Sequence, residues 1–144
     1  MAQGDCSIYN HAKEIILLGD IHFDSDIFKI VLLGSGYSFN VDGNNGYANV
    51  SAEEITASGY AAGGETLTGL TVTQNDTGDY AKWDAADVTW SSLATATIAH
   101  AVIYDDTITT PVADPLVCRF EITTNSNGGN YQLSFNSGGI LQLS

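Results

Sequence analysis

The chain has 144 residues, 44% of them apolar and 15% charged, which is enough apolar surface to close one core and too little charge for a chain that stays unfolded. Its four basic residues, Lys13, Lys29, Lys82 and Arg119, stand singly against seventeen carboxylates, for a formal net charge of −13. That balance excludes the clustered Lys and Arg by which proteins hold nucleic acid or anionic membranes, and no run approaches the roughly 20 apolar residues of a membrane-spanning helix.

Residues 1–10 lack apolar periodicity and are expected to form an N-terminal arm that orders on docking, ahead of a single β-rich domain over residues 11–144. Tyr9, Ala12, Ile15 and Ile16 then follow a three-and-four spacing, with Gly19 where a left-handed cap is wanted, so a short amphipathic helix is predicted over residues 9–18. Residues 27–33 form a continuous aliphatic run, which predicts a strand buried on both faces and central to its sheet. Residues 40–49, rich in Asn and Gly, read as an exposed loop. Ser51 and Glu54 have the spacing of a capping box, which predicts a helical turn through about Ala57, stopped by Gly59.

Period-two alternation continues the chain as strands. Leu70 and Val72 alternate with Thr71 and Thr73, and Val88 and Trp90 with Thr89 and Ser91, each pattern predicting a half-buried strand. Over residues 97–104 the larger side chains Ile98, His100, Val102 and Tyr104 are expected on one face, before a loop bracketed by Pro111 and Pro115. Cys118, Phe120 and Ile122 alternate with polar residues, as do Tyr131, Leu133 and Phe135. The Asn- and Gly-rich stretch 125–130 between them predicts a hairpin. A last short strand follows Gly138 and Gly139. The fold class predicted is mainly β, a β-sandwich or small barrel with a short N-terminal helix and one further helical turn.

The residues assemble no catalytic set of nucleophile, base and orienting group, so no enzyme activity and no catalytic residue is assigned. His11, His22 and His100 have no metal-motif spacing, and Gly34-Ser35-Gly36 lacks the third glycine of a dinucleotide site. Cys6 and Cys118 are expected as free thiols. Asp76, Asp79, Asp84 and Asp87, with Asp42, Asn44 and Asn45, offer oxygen ligands of the kind calcium takes, but the spacing misses the EF-hand pattern; no cofactor is assigned. Trp90 is read as core, whereas Trp83 suits either core or contact. The candidate interaction residues are Cys6, Ile8 and Tyr9 in the arm, Asn44, Asn45 and Tyr47 in the loop, and Trp83.

One resemblance covers nearly the whole chain. Ala12-Lys13-Glu14, Gly19-Asp20-Ile21 and Asp26-Ile27-Phe28-Lys29-Ile30, then Val50-Ser51-Ala52-Glu53-Glu54, Asp84 through Trp90, Ala101-Val102-Ile103-Tyr104 and Gly139-Ile140-Leu141 resemble, in the same order, a family of small structural proteins encoded among the head genes of tailed bacteriophages. The resemblance implies a non-enzymatic virion component, first of all a capsid decoration or cement protein on the outer surface of the capsid, assembled in the host bacterial cytoplasm. Its implied partners are the phage major capsid protein and further copies of itself, in a trimer or cluster, with no nucleic acid and no membrane. The alternatives are a tail, neck or fibre component, or a glycan-binding module on the virion that would use residues 40–49 and Trp83.

Overall fold

A computed structural model describes residues 6–144. Its elements are β1 (Cys6–Ile8), α1 (Asn10–Leu18), β2 (Phe28–Leu33), 3₁₀ turns at Tyr47–Asn49 and Ser51–Glu53, β3 (Glu65–Thr66), β4 (Thr71–Asn75), β5 (Tyr80–Asp84), β6 (Val88–Trp90), β7 (Thr97–Asp105), β8 (Leu116–Asn125), β9 (Tyr131–Leu133) and β10 (Leu141–Leu143). The chain is mainly β, with a short N-terminal helix and a further helical stretch, as its patterning predicts. The strands form a five-stranded sheet, β1-β8-β7-β2-β3, a three-stranded sheet, β10-β5-β4, and a two-stranded sheet, β6-β9.

The large sheet is buried on both faces. Phe28, Ile30 and Leu32 of β2 point to one side, with Ile103 of β7 and Phe120 of β8, and pack beneath Trp83, Trp90 and Leu133 of the two smaller sheets. Val31, Leu33, Val102 and Tyr104 point to the other side and are covered by Tyr9, Ala12, Tyr37 and Val50. This two-sided burial is what the aliphatic run of β2 requires. The central strand, however, is β7, and β2 lies one place from the edge.

The N-terminal arm needs correction. Cys6–Ile8 pairs antiparallel with β8, Cys6 opposite Phe120 and Ile8 opposite Cys118, and Asn10 already opens the helix. Residues 1–5 of the expected arm lie outside the described residues. The helix ends as expected at Gly19, whose φ is 79°, where the Gly19 and Asp20 N–H groups donate to the Ile16 and Ile15 carbonyls.

Four further expectations change. Ile98 faces away from His100, Val102 and Tyr104, because a bulge in the β7–β8 register between Ile98 and His100 inverts the alternation. β4 is not half-buried: Val72 is 53% exposed on an edge strand. Ser51 and Glu54 make no capping box, and only a 3₁₀ turn forms, since the Glu54 carboxylate is taken by Tyr47, Tyr60 and the Gly63 N–H. Finally, β8 and β9 form no hairpin; β9 pairs with β6. The connection between them is pulled away by the segment before β7. Ser126 N–H donates to the Ala96 carbonyl, its hydroxyl accepts from Ala96 N–H and donates to the Ala94 carbonyl, and Leu93 exchanges backbone bonds with Gly128 and Gly129.

Candidate docking groove

The side chains of the small sheet divide by the pleat. Val72 lies opposite Trp83, and Trp83 opposite Leu141; in the next row stand Gln74, Ala81 and Leu143. Because alternate residues share a face, Val72, Ala81, Trp83, Leu141 and Leu143 present one apolar surface. Across from it run Ile8 of β1, Ile16 of α1 and Phe23 of the turn before β2. Together these line an open groove of about 80 Å³, whose other lining residues are Lys82 and Gln142.

Trp83 is the floor of this groove. It is 3% exposed, its ring lies 4.7 Å from Phe23 and 4.8 Å from Phe28, and its Nε1 donates to the Phe23 carbonyl at 2.9 Å. At 3% exposure and with its N–H engaged, the indole offers no open face on which to stack a sugar. The rim is open: Val72 is 53% and Leu143 69% exposed. Large apolar side chains exposed around an apolar concavity mark an interaction surface more than isolated ones do.

The sequence-predicted residues fall into two separate places. Ile8 and Trp83 meet at the groove, and Cys6 lies half-buried on the same strand as Ile8. Tyr9 is wholly buried and offers no contact surface; its hydroxyl donates to Tyr37, which in turn donates to Asn44 Oδ1. Burial raises the pKa of both phenols, Tyr9 the further, so that both stay protonated. Asn44 also accepts from Asn40 N–H, and the Asn45 backbone accepts from Leu116 and donates to Asn49. Residues 40–49 are thus fastened to the sheet by the asparagines that suggested recognition. Tyr47 stacks on Tyr104 and donates to Glu54; burial and that carboxylate push its pKa up to about 12.

The acids proposed for calcium do not converge. Asp76 and Asp79 lie at the turn end of the β4–β5 hairpin, while Asp84 and Asp87 lie at its other end, where Asp84 faces Lys82 and Asp87 accepts from Phe135 N–H. Among the described residues no group of His, Cys, Asp and Glu is arranged to hold a metal. Cys6 and Cys118 are both free thiols, and burial next to Cys6 holds the Cys118 thiol well above its ordinary pKa.

The chain matches no family model, no curated protein and no solved structure. The groove residues Phe23, Val72, Ala81, Leu141 and Leu143 were missed as a site because they come from three distant segments. The local signals were the Ala81–Trp83 and Leu141–Leu143 alternations, which indicate an apolar face but not that it is left partly open.

Proposed function

We propose that this chain is a non-enzymatic structural protein of a tailed-phage particle, a decoration protein that docks on the outer surface of the capsid and cements it. The groove between the β10-β5-β4 sheet and α1 carries the proposal: it is apolar, shaped by fixed strands, and rimmed by exposed Val72 and Leu143, which is the anatomy of a surface made to be covered. The acidity of the chain supports an outward position, away from packaged DNA. The family resemblance supplies the phage context.

Purified capsids lacking this protein, incubated with it and sedimented, test the reading. Expected is saturable occupancy on the order of hundreds of copies per particle, as a shell lattice offers, whereas roughly six or twelve would move the protein to the neck or tail. Loss of occupancy with Val72→Glu would assign the contact to the groove.

A further inference from the structure

The groove has a free strand edge beside it. Among the described residues β4 pairs only with β5, which leaves the other side of Thr71–Asn75 without a backbone partner there. Natural edge strands are commonly blunted by lysine, proline or a bulge. The sequence TVTQN has neither residue, and its register with β5 runs unbroken from Thr71 opposite Asp84 to Asn75 opposite Tyr80. A strand added there would continue the row Leu141–Trp83–Val72, with every second side chain facing the groove.

Charge decides what can occupy it. Lys29 is paired with Asp106, Lys82 with Asp84 and Arg119 with Glu121, while Lys13 donates to Asn10. Three of the four cations are paired with carboxylates, Lys13 meets only a neutral amide, and seventeen carboxylates leave the chain strongly negative. A second copy would bring the same net charge of −13 to the contact. Like-charge juxtaposition disfavours it, and a basic partner is favoured by the same field.

We propose that the free edge of β4 receives an extended segment of a partner protein, apolar at alternate positions and flanked by lysine or arginine, which adds as a strand and extends the apolar face of the groove past Val72. This rests on the docking role above and specifies its chemistry. Backbone hydrogen bonds to β4 supply affinity that does not depend on sequence. The apolar side chains that pack beside Val72 supply selectivity, and the basic flanks speed encounter and orient the segment.

The probe is a synthetic ten-residue peptide, Lys-Lys-Thr-Leu-Thr-Val-Thr-Leu-Lys-Lys, titrated into the full chain by calorimetry, beside one with glutamate flanks and one with serine at its three apolar positions. The lysine-flanked peptide should bind at least about tenfold more tightly than either, with the advantage over glutamate flanks shrinking as salt is raised. Val72→Glu, at an exposed position that spares the core, should weaken it by about tenfold, whereas Leu143→Ser on β10, at the opposite edge of the sheet, and Thr89→Glu on β6 should not. Amide exchange should show new protection at Thr71–Asn75. No binding at millimolar peptide, equal binding with glutamate flanks, insensitivity to Val72→Glu, or protection confined to other strands would each overturn the proposal. The capsid experiment fails separately: capsids that take up wild type and Val72→Glu equally leave the decoration role standing without the groove, whereas groove-dependent peptide binding without capsid binding leaves the groove without the decoration role.

Discussion

Single residues in this fold are constrained by close approach and by burial. Gly64 has φ 75°, and a Cβ there would sit 1.9 Å from the Ile30 carbonyl oxygen, inside the backbone of β2. Neither strand can yield without breaking the sheet, so Gly64→Ala is expected to cost at least ~2 kcal/mol in urea unfolding. Trp83→Ala would remove an interior ring and cost about 3–5 kcal/mol. Loss of any binding in that variant would therefore report unfolding, which is why exposed Val72 is the better probe. Asp105 is a different case. It is fully buried; its Oδ1 accepts from the Thr107 and Ile108 N–H groups, and Oδ2 has no donor. Burial first, and the adjacent Asp26 carboxyl second, push its pKa up from 3.8 to about 7. The folded chain thus holds a proton that the unfolded chain releases near pH 4. The contribution is fully present below that pH and declines as pH rises to about 7, by ~1.4 kcal/mol per pH unit at most. Asp105→Asn keeps the shape without the titration. Its melting temperature relative to wild type should climb between pH 4 and 7 and level off above; a constant difference across that range would show that Asp105 does not hold the proton.

At the scale of elements, pairing partners mattered more than strand identity. The alternation of Cys118, Phe120 and Ile122, and of Tyr131 and Leu133, is present in the strands as read from the sequence. Their mutual pairing is not, because Ser126 ties the connection to residues 94–96 and so directs β9 to β6. Ser126→Ala would strand the Ala96 N–H and the Ala94 carbonyl. An expected loss of about 1–3 kcal/mol follows, measurable by thermal melting, with faster amide exchange in β9. β1 makes a second case. Since Cys6–Ile8 completes the edge of the large sheet and Ile8 lines the groove, removing residues 1–8 should lower stability and expose Cys118 to thiol reagents. Unchanged reactivity of Cys118 in that truncation would contradict the pairing of β1 with β8.

On the scale of the whole molecule, charge and apolar surface act together. With a net charge of −13, repulsion between copies opposes association through the open apolar groove. Raising the salt should weaken that repulsion and promote self-association through the groove, which light scattering would follow and Val72→Glu should suppress. Composition and local patterning by themselves determined the β class, the front helix with its Gly19 stop, the two-sided burial of β2 and the excess of negative charge, because each is a property of nearby residues or of the composition. Tertiary structure alone decided that β7 is central, that β9 joins β6, that Tyr9 and Asn44 are fasteners, and that Ile8, Trp83, Val72 and Leu143 share one groove. These depend on which distant segments meet, and a bulge or one serine's hydrogen bonds can redirect that choice with little trace in the local pattern.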